Sequence, residues 1–231
     1  MKRRTFLLAT IAAVSFPALA QTKPMKIGII GSGRIGSTLG TLWAKAGHEI
    51  MFSDRDAEQA KRAAESAGAR ARTGTVEEAV AYGDAVLIAV PYGALPAVAQ
   101  QVGEKLKGKV VVDPNNPVPS RDGEMAVAAK EKGAAVSTAA LLPGVKLVRA
   151  FNSWGYQKLA SEANRPAPRM GIPVAADDPQ ALKVGLQLVR DAGFDPVPAG
   201  SLAASKAFDL GSPVSGRAMT AEELRKALSL P

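Results

Sequence analysis

The sequence predicts an α/β protein, built as one doubly wound domain around a mainly parallel sheet. Three observations support this prediction. Short apolar runs alternate with segments of helical periodicity, an order that gives parallel strands joined by right-handed crossovers. The runs are continuously apolar, as strands are when helices cover both faces of a sheet. No linker-like stretch divides the chain, so we expect residues 21–231 to form a single domain.

The first half of this domain contains four predicted strands. KIGII at 26–30 is the first strand, and EIMFS at 49–53 is the second. Each is followed by a helical segment that ends at a glycine, over 34–47 and 56–68. ARART at 69–73 is a weak third strand. The fourth strand, AVLIAV, is strongly apolar and follows a short helix in which Thr75 and Glu78 form a capping-box pattern.

The second half continues the same rhythm. A helix, ALPAVAQQVGEKL, precedes the fifth strand KVVVD at 109–113. A helical region over 121–142 leads to the sixth strand, VKLVRAF, at 145–151. MGIPVAA, a helix at 178–192 and DPVPAG are predicted to extend the sheet by a strand–helix–strand unit. Two short helical pieces, at about 201–208 and 220–229, close the chain.

The composition excludes several kinds of site. The chain has no cysteine, which excludes disulfides, thiolate nucleophiles and iron–sulfur clusters. His48 is the single histidine, so we expect no histidine-rich metal site. It lies in the turn AGHE, away from the carboxyl ends of the strands, which predicts a structural or solvent role. The net charge of +8 is spread without a dense basic run, so we do not expect nucleic-acid binding.

Residues 1–20 are predicted to be a cleaved export signal. KRR at 2–4 precedes an apolar run at 6–16, and Ala18-Leu19-Ala20 forms a cleavage-site pattern before Gln21. A helix of about eleven residues spans about 16 Å, too little for a bilayer core of about 30 Å. We therefore expect no stable membrane anchor.

The segment RRTFLL resembles the twin-arginine export signal. The resemblance implies that the twin-arginine machinery is a partner and that the mature protein is periplasmic. That pathway carries proteins already folded, often with a cofactor bound. An ordinary secretory signal that contains two arginines is the alternative.

A glycine-rich loop follows the first predicted strand and opens the first helix. A G-x-G-x-x-G pattern in this position is the fingerprint of a Rossmann dinucleotide site. The first glycine allows a tight turn, the second lets the pyrophosphate approach, and the third lets the helix pack on the strand. The helix N-terminus offers free N–H groups to the phosphates. The residues of this loop are Gly31, Ser32, Gly33, Arg34, Ile35 and Gly36.

The second strand ends in Ser53-Asp54-Arg55. An acidic residue here usually binds the ribose 2′-hydroxyl, whereas an arginine accommodates a 2′-phosphate. Ser53 and Arg55 can bind phosphate, and Asp54 would repel it unless its side chain is turned outward. We favour NADP(H) as the cofactor, with NAD(H) as the alternative.

Five segments together resemble the coenzyme F420-dependent NADP oxidoreductases, a family that is itself similar to the NADPH-binding domain of the Steap metalloreductases. They are MKIGIIGSGRIGSTLG, AKAGHEI, IAVPYGAL, DPNNP and RAFNSWG, within roughly residues 25–200. The resemblance implies hydride transfer between NADP(H) and a flavin-like partner, such as F420 or a flavin. This sequence departs from the family at SDR, residues 53–55, where the F420 enzymes commonly have a glycine-serine-arginine segment or a threonine-arginine pair.

The resemblance also implies where the reaction occurs. The strand ends Val90-Pro91-Tyr92 and Asp113 to Pro117 would border the cofactor, and Ala150-Phe151-Asn152 would lie near the nicotinamide. Since the cofactors carry out most of the chemistry of such a hydride transfer, we expect no catalytic His, Lys or Cys. Tyr92 and Asn152 are the candidate catalytic residues.

Several side chains near these strand ends have two interpretations. Tyr92 could stack on a ring, donate a proton or form the wall of a pocket. Asn115 and Asn116 could bind the carboxamide or the ribose, or simply form a Pro-Asn-Asn-Pro turn. Trp154 and Tyr156 could cover a planar substrate or cap the core.

Two other functions stay open at this stage. One is a domain that binds or senses NADP(H) without turnover. The other is a small-molecule imine or hydroxyacid reductase, although the strand-rich segment after residue 150 does not match the large helical domain typical of that class. A homodimer is the default expectation for assembly.

Overall fold

The computed structural model of this protein describes residues 23–231, and it confirms the α/β class. Six strands form one parallel sheet in the order β3-β2-β1-β4-β5-β6. The strands are β1 (Lys26–Ile30), β2 (Glu49–Ser53), β3 (Ala71–Thr73), β4 (Ala85–Ile88), β5 (Val110–Asp113) and β6 (Lys146–Arg149). The predicted export signal at 1–20 lies outside the described residues.

Ten α-helices lie within the described part of the chain. They are α1 (Arg34–Lys45), α2 (Ala57–Ala67), α3 (Val76–Tyr82), α4 (Leu95–Leu106), α5 (Pro119–Asp122), α6 (Glu124–Lys132), α7 (Ala134–Leu141), α8 (Tyr156–Glu162), α9 (Pro179–Asp191) and α10 (Ala221–Ala227). The capping box predicted at the start of α3 is present, with Thr75 and Glu78 bonding each other's backbone N–H groups.

Both faces of the sheet are buried. One apolar core joins the sheet to α1, α2 and α9, and the other joins it to α3, α4 and α7. Trp43 lies inside the first core, where its indole N–H donates to the Leu188 carbonyl at 2.8 Å. Since the strand order reverses between β1 and β4, the carboxyl ends of these strands open a crevice, the usual ligand position in such sheets.

The strand–helix–strand unit at the end of the chain exists, but it does not continue the main sheet as predicted. Strands β7 (Gly171–Val174) and β8 (Asp195–Pro198) pair in a sheet of their own, with α9 between them in sequence. A single antiparallel bridge between Arg149 and Ala175 connects this small sheet to the edge of β6.

The predicted helical segments are more broken than expected. The region 121–142 divides into separate helices because Gly123 and Gly133 have φ angles of 65° and 101°, which an α-helix does not tolerate. The piece predicted at 201–208 is a 3₁₀ helix over Ala204–Phe208.

His48 has the structural role that its position predicted. The ring is buried, Nδ1 accepts the Met25 N–H at 3.0 Å, and Nε2 donates to Asp191 Oδ2 at 3.0 Å. It thereby ties the start of β1 to the end of α9. Within residues 23–231 no helix is long and apolar enough to cross a membrane, and no three potential metal ligands cluster.

Candidate active site

The glycine loop lies at the crevice between β1 and β4. Gly31 has a φ of 94°, and a Cβ there would lie 2.3 Å from the Ala89 carbonyl oxygen. A Cβ at Gly36 would lie 1.9 Å from the Gly31 carbonyl oxygen. The fold itself therefore requires both glycines.

Gly33 differs from its neighbours because nothing within residues 23–231 needs it to be glycine. A Cβ there would meet only Gln59 Nε2, at 4.0 Å. Gly33 is also the N-cap of α1, in extended conformation and with no side-chain cap. The space above it and the free N–H groups of the first turn form an open cradle that fits a pyrophosphate. This observation agrees with the dinucleotide site that the sequence predicted.

Two cavities meet at this loop. We call the first, of about 350 Å³, the β2-side cavity; it reaches Asp54, Arg55 and Gln59. We call the second, of about 560 Å³, the β5-side cavity; it reaches Asn115, Asn152 and Tyr156. Both are lined by Gly33, Ala89, Val90 and Pro91. The groove therefore runs continuously across the strand ends, as an extended dinucleotide requires.

The β2 end of the groove differs in part from the expectation. Ser53 is fully buried, and its hydroxyl donates to the Ile29 carbonyl at 2.8 Å, so it does not reach a phosphate. The Asp54 side chain is not turned outward: Oδ2 accepts the Ser32 N–H at 2.6 Å and the Gln59 amide at 3.0 Å. Arg55 is exposed and lines the cavity.

Asn115 provides a free acceptor in the β5-side cavity. Its side-chain amide donates to the Ile88 carbonyl at 2.8 Å, and its backbone N–H donates to Asp113 Oδ1 at 2.8 Å. No donor in the described part of the chain reaches Asn115 Oδ1. This oxygen can therefore accept a hydrogen bond from a carboxamide or a ribose hydroxyl.

Asn116 positions the neighbouring wall instead. Its amide donates to the Asn152 carbonyl at 2.7 Å, and its Oδ1 accepts from Arg149 Nη2 at 3.2 Å. Both polar ends of this side chain are thus bonded within the protein. Its role is to join the β5 loop to the turn after β6.

The turn after β6 brings Asn152 to the cavity through an unusual backbone. Phe151 has a φ of 63° although it is a buried aromatic residue, a conformation that proteins retain mainly where surrounding contacts enforce it. The Asn152 amide donates to the Phe208 carbonyl at 3.0 Å, while its buried Oδ1 has no partner among the described residues. Asn152 lines the β5-side cavity.

Aromatic side chains and the C-terminal segment form the outer wall. Trp154 lines the cavity while its indole N–H donates to the Arg217 carbonyl at 2.9 Å, so it also anchors the C-terminal segment. The guanidinium of Arg34 lies 5.2 Å from the ring centre of Tyr156. Leu210, 42% exposed, lines the cavity on the C-terminal side. A wall of this kind suits a planar molecule next to the cofactor.

The structure does not support a catalytic role for Tyr92. The residue is fully buried, its hydroxyl donates to the Ala134 carbonyl at 3.3 Å, and it lines neither cavity. Burial raises the pKa of the Tyr92 phenol, so the proton is held more firmly still. Tyr92 packs beneath α7, while its neighbours Val90 and Pro91 border the groove as expected.

A buried arginine that the sequence analysis missed supports the floor of the site. Arg149 has no exposed surface, and its guanidinium pairs with Asp113 at 3.3 Å and with Asp209 at 2.7 Å. It also donates to the Asn115 carbonyl. Burial raises the pKa of Asp113, although the Arg149 charge opposes this effect. One side chain therefore holds the β5 loop and the C-terminal segment on both sides of the cavity.

The chain resembles proteins that use NADP. Residues 26–117 match the family model described as NADP oxidoreductase, coenzyme F420-dependent. The F420-dependent NADP reductase of Methanothermobacter thermautotrophicus is 32% identical over 177 residues, covering 71% of this chain and 75% of that protein. A hypothetical protein of Sinorhizobium meliloti has a TM-score of 0.73 and 25% identity, covering 87% of this chain and 97% of its own.

A second relative is a much longer protein. The metalloreductase STEAP3 of Rattus norvegicus is 29% identical over 187 residues, which cover 78% of this chain. The match spans 35% of STEAP3, so it concerns about a third of that protein. On its sequence, its fold and its open glycine cradle, the chain belongs to the F420-dependent NADP oxidoreductase family.

Proposed function

We propose that the protein is an exported NADP(H)-dependent oxidoreductase that transfers hydride between the nicotinamide and a flavin-like or other small acceptor. The observation that carries the proposal is the continuous groove from Asp54 to Tyr156, with the open cradle at Gly33 in its middle. One end can hold the adenosine half of the cofactor. The other leaves room for a nicotinamide beside a second planar ring.

Each part of the groove has a separate task. The N–H groups at the start of α1 bind the pyrophosphate, and Asn115 Oδ1 accepts a hydrogen bond that orients the nicotinamide half. Bound NADP(H) supplies the hydride chemistry, and the protein supplies positioning and exclusion of water. Ile35, Val90, Pro91 and Trp154 provide apolar lining that keeps water from the rings.

Turnover tests this proposal directly. Purified mature protein is mixed anaerobically with NADPH and, in separate reactions, with F420, FMN or riboflavin, and the loss of NADPH absorbance is followed. We expect acceptor-dependent oxidation of NADPH with at least one planar acceptor. If the protein binds NADPH but reduces none of these acceptors, the alternative of a non-catalytic binding module would be favoured.

Export is proposed from the first twenty residues. The pair Arg3-Arg4 stands before Phe6 and Leu7, and an apolar run and Ala18-Leu19-Ala20 follow. If the protein folds and binds its cofactor before export, it leaves the cytoplasm with the dinucleotide bound. A ligand that binds only the folded state also stabilises that state, by about 2.7 kcal/mol at one hundred times its Kd.

We expect the double variant Arg3→Lys/Arg4→Lys to remain in the cytoplasm, because it keeps the charge of the signal but loses the arginine pair. Cell fractionation followed by immunoblotting measures its location. Lys2→Gln is the matched control, since it removes a charge, keeps both arginines and should be exported. Normal export of the double variant would refute the twin-arginine route, and periplasmic protein without nucleotide would refute export with bound cofactor.

A further inference from the structure

We propose that the β2-side cavity accepts NAD(H) about as well as NADP(H), and that Asp54 is the residue that removes the preference for the 2′-phosphate. This inference rests on the proposed use of the glycine loop for a dinucleotide. It concerns a second cofactor that the chain's own residues admit.

The first step is the fixed position of the Asp54 carboxylate. Three donors hold it: the backbone N–H groups of Ser32 and Asp56, at 2.6 Å and 3.1 Å, and the Gln59 amide at 3.0 Å. A swing away from the cavity would break all three hydrogen bonds, which are strengthened by the charge of the acceptor. The negative charge therefore stays beside the glycine loop, at the end of β2 where the adenosine ribose binds in this fold.

The second step is the acceptor capacity that remains. A carboxylate offers about four lone-pair sites, and the three donors leave about one of them, on Oδ1. A ribose hydroxyl can donate to it. A 2′-phosphate has no proton to donate when fully ionised, so it meets the same oxygen as a like charge.

The third step is the charge of the residues around the outer part of the β2-side cavity. An adjoining space of about 600 Å³ is lined by Asp54, Arg55, Glu77 and Glu78. A hydrogen bond from the Gln101 amide lowers the pKa of Glu77, so this carboxylate is ionised at neutral pH. Among the residues that line this space, three are acidic and one, Arg55, is a cation.

Arg55 has the charge to bind a 2′-phosphate but little else to fix it. The side chain is exposed and forms no ion pair or hydrogen bond within the described residues. Any phosphate contact must therefore order a flexible side chain against the field of the nearby acids, which offsets much of the attraction. The repulsion of the 2′-phosphate by Asp54 and its attraction by Arg55 therefore balance, so neither dinucleotide is strongly preferred.

Equilibrium titration of the mature protein with NADPH and with NADH, followed by quenching of tryptophan fluorescence, tests the inference. We expect the two Kd values to agree within about tenfold, a difference of about 1.4 kcal/mol. Asp54→Asn should shift the ratio at least about tenfold toward NADPH, because it removes the charge and keeps the size. Arg55→Gln should weaken NADPH binding about tenfold or more and leave NADH almost unchanged.

Glu58→Gln is the matched control. It removes a carboxylate from the first turn of α2 that lines neither cavity, so the ratio of the two Kd values should not change. A preference of the unmodified protein for NADPH above tenfold, or an unchanged ratio in Asp54→Asn, would overturn the inference. Failure to bind either dinucleotide would refute the proposed function instead. Arg55→Gln changes only an exposed side chain, so its result stands even if Asp54→Asn fails to fold.

Discussion

Gly33→Val is expected to abolish dinucleotide binding while leaving the fold intact. The glycine has a φ of −66°, which any residue adopts, and a Cβ there would meet only Gln59 Nε2, at 4.0 Å. The protein therefore has room for a Cβ at this position, but a branched side chain occupies the space in which a pyrophosphate must lie. We expect the Kd for NADPH to rise by at least about a hundredfold, about 2.8 kcal/mol of binding free energy. Fluorescence titration gives the Kd, and circular dichroism with thermal unfolding reports on the fold.

Gly36→Ala is the matched control because we expect it to destabilise the fold, whereas Gly33→Val should prevent dinucleotide binding only. Its Cβ would lie 1.9 Å from the Gly31 carbonyl oxygen and 3.3 Å from Ile29, so α1 cannot remain against β1 without a backbone shift. We expect a clear drop in melting temperature even without ligand. If Gly33→Val bound NADPH as tightly as the unmodified protein, the cradle would not hold the pyrophosphate and the cofactor site would be wrong.

The features that the sequence predicted well depend on neighbouring residues. The loop from Gly31 to Gly36 combines a strand, a tight turn and a helix start within a few residues, and the structure places all three as expected. The same holds for the Thr75 capping box. In both cases the pattern and its physical cause lie within one short segment.

Side-chain direction was harder to predict. Tyr92 follows β4 at the edge of the groove, but the turn at Pro91 starts a 3₁₀ helix that directs its phenol toward Ala134. Asp54 lies where the sequence placed it, yet its rotamer depends on the Ser32 N–H, 22 residues away. The separate pairing of β7 with β8 likewise depends on contacts that no local pattern contains.

The sequence did not predict the buried, ion-paired position of Arg149, because its partners are distant along the chain. Arg149 is one of two cations in the segment VKLVRAF, the other being Lys146, and an arginine there is compatible with an exposed strand end. The two carboxylates that pair with it lie 36 and 60 residues away along the chain. The only local signal was a cation embedded in an otherwise buried strand, which calls for a buried partner.

We expect Arg149→Met to lower the free energy of unfolding by about 3–5 kcal/mol, because it leaves the buried carboxylate of Asp113 and the partly buried carboxylate of Asp209 without a counter-charge. Urea unfolding followed by circular dichroism gives the free energy. Lys146→Met is the matched control on the same strand. Lys146 pairs with Asp178 at 3.7 Å in a partly exposed position, so its loss should cost at most about 1 kcal/mol.

The triple variant Arg149→Met/Asp113→Asn/Asp209→Asn separates lost charge balance from lost packing. It removes the cation and both anions together, so no uncompensated charge stays in the interior, and most of the stability should return. The polar links from Arg149 to Asn115 and Asn116 stay broken in this variant. We therefore expect a stable protein whose turnover is still impaired, since the β5 loop and the C-terminal segment lose the side chain that joins them. A loss below about 1 kcal/mol in Arg149→Met would show that this buried network does not hold the floor of the site.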